Sequence, residues 1–346
     1  MGNQEFLPIY ERIANGLNCG YATGRVLVSG ILGLAFVVPH YVALIRAGEK
    51  ITDWSWFLAV LITTAMLCLY YATYTLKALL PEMDARLQGK NKQIFLAPLK
   101  KKLSDQNFAI AGLIFGLLNC AFGYWFGLPY SRVSTVVTIL IGYFLAGFVC
   151  GMAVWGIYGV FEPIKAFSLK ARDSFDFTEP DNCGGTGFLG DALIVFASVT
   201  LIVGVMISIY VLKTDWQRDN SFRVVALKGV WIVFPYLCSL LALVGPAVPI
   251  NGQLRAYKAE RESRLKKGLT DVREKLEKDL PVDERKDLHE QYEFQQSQRK
   301  ELHSMRTWPF GLAANLKYLS VLGGNLFAHI SAALTTGGSH HAQPFL

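Results

Sequence analysis

Six long apolar segments constrain this chain more than any other feature of its sequence. A helix needs about 20 apolar residues to cross a hydrocarbon core of about 30 Å. The segments that meet this length are 26–45, 54–76, 108–128, 133–161, 189–212 and 226–250. Six buried core helices of this kind would leave too little polar surface to dissolve the protein. We therefore predict an all-α fold, a polytopic helical membrane bundle of about six spans.

The composition agrees with membrane insertion. Of the 346 residues, 52% are hydrophobic and 18% are charged, whereas a soluble domain has about a quarter charged residues. The formal net charge is +7, and an excess of Lys and Arg is typical of cytoplasmic loops. The part of this excess that topology does not explain would suit an anionic partner, such as nucleic acid or lipid head groups.

The distribution of Lys and Arg orients the spans. Loop 77–107 contains seven of these residues and loop 162–188 contains three, whereas the 129–132 turn on the other side contains one. Loop 213–225 also contains three, which weakens the contrast. The positive-inside rule then favours an even number of spans with both termini in the cytoplasm.

These spans divide the chain into four parts. The predicted parts are a cytoplasmic N-terminal segment 1–25, a transmembrane domain 26–250, a cytoplasmic helical hairpin 251–306, and a membrane-associated C-terminal segment and tail 307–346. The N-terminal part lacks the pattern of a signal peptide. Within the last part, the apolar stretch 310–336 crosses the membrane, enters it and returns, or lies in the interface.

The hairpin is predicted from an apolar stripe and a break. Apolar residues recur at spacings of four, three, four and four, which places them on one face of a helix. They are Leu265, Leu269, Val272, Leu276 and Leu280. Pro281 interrupts this helix, and Asp283 and Glu284 favour the start of a second one. The pattern predicts two helices that pack on each other or on neighbouring subunits; a solvated amphipathic linker is the alternative.

The spans contain small residues at four-residue spacing and few polar side chains. The glycine pairs, which allow close helix approach, are Gly112 and Gly116, Gly123 and Gly127, and Gly147 and Gly151. No carboxylate lies in the middle of a span, which argues against a proton-coupled or sodium-coupled transporter. His40 and Asn119 are the candidate pore-lining side chains. A hydrogen bond to a carbonyl group freed by Pro39 is an equal explanation for His40.

Two basic clusters are candidate binding sites for an anionic ligand. They consist of Lys100, Lys101 and Lys102, and of Arg264, Lys266 and Lys267. Such clusters bind the phosphates of lipids or nucleic acids. A basic run next to a span is also explained by topology alone.

The sequence contains no motif for a cofactor, a metal or catalysis. No CxxC pair, nucleophile elbow, P-loop or HExxH motif is present. Loop 173–191 contains five acidic residues, but their spacing does not match a calcium-binding loop. Its Pro-Asp-Asn-x-Gly-Gly run predicts a defined turn before the fifth span. We expect no enzyme activity, metal or cofactor.

Two short segments resemble signatures of bacterial membrane proteins. Residues 180–190 (PDNCGGTGFLG) precede the fifth span, and residues 306–310 (RTWPF) follow the hairpin. Both resemble motifs of bacterial multi-pass membrane proteins, some of them encoded in phage-defence loci. In its architecture, the chain is also similar to the transmembrane channel effectors of the Hailong anti-phage system.

The resemblance to these effectors implies a homo-oligomeric channel, a tetramer, in the bacterial inner membrane. It also implies that a short single-stranded DNA oligomer, made by a partner nucleotidyltransferase, holds the channel shut. No pore or ligand residue can be transferred by motif.

Three hypotheses follow from the sequence. The first is an oligomeric channel in contact with membrane lipids, gated by an anionic cytoplasmic ligand, whose opening depolarises the membrane. The second is a membrane anchor or sensor that recruits a soluble partner through the hairpin. The third, an enzyme or transporter that acts on lipid, has the least support because charged groups are missing from the middle of the spans.

Overall fold

The fold is all-helical, with no strand among the residues described by the computed structural model. These residues are 8–17, 19–51, 53–87, 101, 103–128, 130–170, 174–214, 222–278, 281–311, 318 and 320. The helices are α1 (Ile9–Gly16), α2 (Tyr21–Ala47), α3 (Asp53–Arg86), α4 (Asp105–Phe126), α5 (Val133–Lys170), α6 (Gly187–Lys213), α7 (Phe222–Leu276) and α8 (Val282–Ser304). Six of them, α2 to α7, are long and apolar enough to cross a membrane. The prediction of a six-span helical membrane protein is confirmed.

Several helices extend well beyond the apolar segments that identified them. The start of predicted loop 77–107 is helical, because α3 continues to Arg86. Helix α7 is 55 residues long and runs without a break through the boundary predicted at 250–251. Apolar content marks where a helix lies in the membrane, but backbone hydrogen bonding continues into polar sequence until a residue interrupts it.

The hairpin forms from the last part of α7 and the antiparallel α8, as predicted. Val272 of the apolar stripe is buried, and Leu302 is buried on α8. The two helices approach closely at Gly268, where an added Cβ would lie 2.9 Å from the Oε1 atom of Gln295. Leu280 lies outside the described residues. We call the end of the bundle from which this hairpin projects the hairpin end, and the opposite end the far end.

Helix α3 lies at the centre of the bundle. It packs against α2, α5 and α6, whereas α4 packs mainly on α5, and α6 mainly on α7. Helices α5 and α6 both contact α3 but make little direct contact with each other. The bundle therefore consists of a central helix with two flanking pairs, α4–α5 and α6–α7, which also meet where α5 packs against α7.

The α4–α5 pair depends on the glycines that the sequence singled out. A Cβ at Gly147 would lie 2.5 Å from the carbonyl oxygen of Phe115, and one at Gly151 would lie 2.5 Å from that of Ala111. Gly123 accommodates the ring of Tyr143. Gly127 has a different role, since it ends α4 with a φ of 84°. Five of the six glycines thus contact the partner helix, because α4 and α5 approach too closely for larger side chains.

Replacing Gly151 with valine is expected to separate α4 from α5 and to lower the stability of the bundle by about 1–3 kcal/mol, the usual cost of overpacking. The measurement is the melting temperature of the purified protein in detergent. Gly30→Val is the matched control, because an added Cβ at Gly30 of α2 meets no atom within 4 Å. Equal melting temperatures for the two variants would contradict the glycine-dependent contact.

Candidate functional site

The loop before α6 is organised around the carboxylate of Asp181. Its Oδ1 atom accepts hydrogen bonds from the backbone N–H groups of Cys183 (2.8 Å) and Gly185 (3.0 Å), and its Oδ2 atom accepts one from Gly187 (2.8 Å). Asn182, directly before the first donor, and Gly184, between the first two, adopt positive φ values of 53° and 63°. The carboxylate therefore holds the turn and the start of α6, as the turn motif predicted.

Asp176, another acidic residue of this loop, also accepts hydrogen bonds from within the loop. The Oδ1 atom of Asp176 accepts hydrogen bonds from the backbone N–H (2.9 Å) and the hydroxyl group (2.8 Å) of Thr178. Among the residues that the structure describes, no group of three or more His, Cys, Asp or Glu side chains is placed to hold a metal ion.

Arg86 connects this loop to the end of α3. Its guanidinium group lies 3.7 Å from the carboxylate of Glu179 and 5.4 Å from the ring centroid of Phe188. The backbone carbonyl of Arg86 accepts a hydrogen bond from the hydroxyl group of Ser174 at 2.9 Å. The central helix is thus joined to the loop on both sides of the Asp181 turn.

The two segments that resemble bacterial signatures contact each other. The backbone N–H of Arg306 donates to the carbonyl oxygen of Asn182 at 2.7 Å, and the thiol of Cys183 donates to the carbonyl oxygen of Trp308 at 3.4 Å. Gly190 lies directly against the carbonyl group of Pro309, where no Cβ would fit. We call this contact between residues 180–190 and 306–310 the clasp.

Helix α7 holds the second segment of the clasp from its other side. The amide of Asn251 donates to the backbone carbonyl of Thr307 at 2.8 Å. The ammonium group of Lys258 donates to the carbonyl oxygens of His303 (2.9 Å) and Met305 (2.8 Å) at the end of α8. A cation at this position satisfies carbonyl groups that the helix leaves unpaired. The base of the hairpin is therefore fixed to the membrane bundle.

A polar cleft of about 560 Å³ lies between the start of this loop and the hairpin. Loop residues 174–178 line one side of it, and α7 and α8 line the other. The helical residues that line it are Tyr257, Arg261, Arg264, Leu265, Gln295 and Gln298. Its size falls within the range of about 300–1,000 Å³ that is typical of small-molecule sites. We call it the hairpin cleft.

The lining of the hairpin cleft combines charged groups with hydrogen-bonding groups. Two arginines and one carboxylate, that of Asp176, line it, so the formal charge of its lining is +1. Arg264 also pairs with Glu260 at 2.5 Å. The Oε1 atom of Gln295 is buried and has no hydrogen-bond partner among the described residues. Such an acceptor favours a ligand that donates a hydrogen bond.

The structure separates the residues that the sequence grouped as an anionic-ligand site. Arg264 lines the hairpin cleft, but Lys266 and Lys267 are exposed and do not. At about 100° per residue, Lys266 lies roughly opposite the cleft face of α7, whereas Lys267, three residues after Arg264, is its neighbour on the helix surface. Lys101 is exposed at the hairpin end, while Lys100 and Lys102 lie outside the described residues.

The two candidate pore residues have different surroundings. His40 is completely buried, and its ring nitrogens lie 2.9 Å from the Thr138 hydroxyl and 3.0 Å from the Ser55 hydroxyl. It joins α2, α3 and α5 near the far end, a placement that does not support a pore-lining role within one subunit. Asn119 donates to the carbonyl oxygen of Tyr143 at 2.7 Å and lines an apolar cleft in the membrane region.

Sequence reasoning missed a buried charged cluster at the hairpin end. The carboxylate of Glu11 is completely buried, pairs with the guanidinium group of Arg25, and lies 2.9 Å from the ammonium group of Lys77. The cluster joins α1 to α2 and α3. The sequence contains a signal for this cluster, because the helical spacing of α1 places Glu11 on the face opposite Ile9 and Ile13. In the structure, those two apolar residues are exposed.

No protein-family description, curated protein or solved structure matches this chain.

Replacing Gly190 with alanine is expected to open the clasp and expose Cys183 to a maleimide. Cys183 is 1% exposed, and burial, helped by nearby Asp181 and opposed by Arg306, raises the pKa of its thiol to about 11. Compared with a free thiol, whose pKa is near 8.5, the fraction of Cys183 in the reactive thiolate form is roughly 300-fold smaller. We expect labelling of Cys183 at pH 7.5 to accelerate by at least about tenfold in the variant, measured by peptide mass spectrometry.

Two controls accompany this measurement. Cys19 is exposed and should react at the same rate in every variant. Gly252→Ala introduces the same methyl group on α7, where it meets no atom within 4 Å, and should leave Cys183 unreactive. Unchanged labelling of Cys183 in Gly190→Ala would show that the clasp does not protect it.

Proposed function

We propose that this chain is a channel-like membrane effector controlled by an anionic ligand that binds in the hairpin cleft, with the hairpin end facing the cytoplasm. The observation that carries the proposal is the continuity of α7. This single 55-residue helix provides Tyr257, Arg261 and Arg264 to the cleft and also forms one of the six membrane-spanning helices. A ligand in the cleft would therefore act on a helix that continues into the membrane.

The remainder of α7 is suited to transmit such a movement. Pro235, Pro246 and Pro249 lie inside the helix, and each removes a backbone donor, which permits a local bend. Pro235 packs directly against Gly204 of α6. A ligand that binds one position of the hairpin more tightly shifts the population toward that position, and these prolines are the points at which α7 can respond.

The proposed ion path lies between the subunits of a homo-oligomer. Within the described part of one subunit, the opening between the two helix pairs is lined almost entirely by apolar residues, which do not stabilise an ion. Assembly of several copies would surround a shared central path. The tetramer implied by the sequence resemblance is the form proposed here, located in the bacterial inner membrane and without enzyme activity.

The proposed ligand is a short single-stranded DNA oligomer. Its phosphates would pair with Arg261 and Arg264, and the exocyclic amine of a base would meet the unpaired Oε1 atom of Gln295. The sequence resemblance supplies the context, which is anti-phage defence with a partner nucleotidyltransferase that makes the oligomer. Loss of the oligomer during infection would open the channel and depolarise the cell.

A membrane anchor that recruits a soluble partner is the second candidate function. The observation that favours it is apolar exposure on a highly charged hairpin, since Phe294 is 63% exposed and Val282 is 83% exposed. Large exposed apolar side chains are often the anchors of protein interfaces. This function predicts co-purification with a partner and no conductance.

Replacing both cleft arginines with glutamine is expected to weaken DNA binding and release the channel. The test uses the full chain in liposomes with a potassium gradient, a potential-sensitive dye, and single-stranded oligonucleotides. In Arg261→Gln/Arg264→Gln, we expect the affinity to fall by at least about tenfold, the equivalent of one charge-assisted hydrogen bond. Loss of two phosphate contacts should also reduce the slope of log K against log salt by about 1.4.

Lys266→Gln/Lys267→Gln is the matched control, because it removes the same charge from the same helix outside the cleft. Equal weakening in both double variants would contradict a site in the hairpin cleft. A chain that stays monomeric and electrically silent under all ligand conditions would contradict the channel and favour the anchor.

A further inference from the structure

A second, apolar cleft runs through the membrane region between the two helix pairs. Helix α3 forms its floor, α4 and α5 form one wall, and α6 and α7 form the other. Along α3 its lining runs from Leu58 to Lys77, which corresponds to about 28 Å at 1.5 Å per residue. We call it the membrane cleft.

The cleft exists because the two helix pairs diverge from the central helix. Helices α5 and α6 make little direct contact and are bridged by the hydroxyl groups of Tyr143 and Tyr210, which lie 3.0 Å apart. Toward the far end, the rings of Phe122 and Trp231 meet edge to face with their centroids 5.4 Å apart. Helix α5 also packs directly against α7, and the cleft remains between these contacts and α3.

Hydrocarbon is the medium that such a space would take up. Water needs two to four polar partners in a cavity, and the lining is almost entirely apolar. An empty space of this length would leave its lining side chains without dispersion contacts on one side. The opening lies within helices that cross the membrane, so the acyl chains of the bilayer are the hydrocarbon within reach. The acyl chains of one leaflet account for about half of a hydrocarbon core of about 30 Å, so a chain that enters beside Lys77 would occupy the part of the cleft nearest the hairpin end.

The hairpin end of the membrane cleft carries an unbalanced positive charge. Lys77 lines the cleft there, and α1 closes it with Pro8 and Tyr10. The buried carboxylate of Glu11 is shared by two cations, Arg25 and Lys77, so these three groups have a formal charge of +1. Lys77 is the partner that reaches solvent, since its side chain is 29% exposed while that of Arg25 is 7% exposed.

We propose that the membrane cleft is a binding site for one anionic glycerophospholipid, with an acyl chain between the helix pairs and its phosphate at Lys77. The phosphate would balance the extra charge of the Glu11 cluster, and the chain would occupy the apolar space next to Lys77. This site is separate from the hairpin cleft and does not depend on conductance or on a DNA ligand.

The experiment is photo-crosslinking in vesicles. The full chain is reconstituted in phosphatidylcholine with about a quarter phosphatidylglycerol, an ordinary anionic bilayer composition. A trace of phosphatidylglycerol with a diazirine on one acyl chain is included, and adducts are mapped by mass spectrometry. We expect adducts on peptides that line the membrane cleft, in excess over those on exposed α4 residues such as Leu113 and Leu117.

Variants that fill the cleft test the acyl-chain position. Val203→Trp, on the α6 wall, should reduce cleft adducts by more than about tenfold. The indole ring would displace part of the acyl chain, and loss of burial for only two of its methylene groups weakens binding by about tenfold. Ala153→Trp fills the cleft from the α5 wall and replaces Val203→Trp if that variant does not fold. Val230→Trp is the control on α7, because Val230 is 60% exposed and outside the lining.

Three probes test the head group. Phosphatidylglycerol, phosphatidylcholine and a free fatty acid carry the same diazirine chain. We expect the first to label the cleft most, and Lys77→Gln to remove its advantage over phosphatidylcholine. Lys165→Gln is the control, at an exposed position of α5 near the hairpin end. In this variant phosphatidylglycerol should still label the cleft more than phosphatidylcholine. A fatty acid that labels the cleft as strongly as phosphatidylglycerol would overturn the phospholipid assignment.

Two further results would overturn the site. Adducts spread evenly over the exposed faces of the helices, and unchanged in Val203→Trp and Ala153→Trp, would show that the cleft holds no lipid chain. Absence of cleft adducts with all three probes would show that another occupant, such as the apolar segment 310–336 of the chain itself, fills it.

Discussion

The hydrocarbon core of a membrane offers no water with which backbone groups can bond, so each N–H and carbonyl group in a span is paired within its own helix. This constraint explains why α2 to α7 are helical across the membrane region. It also removes the hydrophobic effect as a force between the helices, because lipid is as apolar as a leucine side chain. Association then depends on shape. In α4 and α5, Gly147 and Gly151 allow contact with the partner backbone.

Polar interactions are concentrated at the ends of the bundle, where they set the positions of the helices. At the hairpin end, Glu11 joins α1, α2 and α3 through Arg25 and Lys77. At the far end, the carboxylate of Glu49 accepts hydrogen bonds from Ser131 and from the backbone of Arg132, all between 2.9 and 3.0 Å. These contacts join the turn after α2 to the turn before α5. The diverging helix pairs are thus held at both ends while a cleft remains between them.

The clasp connects this membrane framework to the hairpin. Its backbone hydrogen bonds and the close contact at Gly190 require little side-chain chemistry, which explains why short segments rich in glycine and proline form it. Lys258 and Asn251 then fix α7 to the same residues. The hairpin cleft lies beside these bonds and is lined by α7, the helix that continues into the membrane region. The proposed control of a channel by a ligand rests on this continuity.

The sequence by itself determined the number of spans, the hairpin and the turn at Asp181, because hydrophobic length, apolar periodicity and turn residues act locally. Helix ends were less predictable, as α3 and α7 show, because hydrogen bonding continues past the apolar segments. The tertiary structure alone decided which distant residues meet. It brought residues 180–190 to 306–310, placed Arg264 in a cleft without Lys266, and buried His40 among hydroxyl groups. Such contacts depend on the relative positions of helices far apart in sequence, about which a local pattern carries no information.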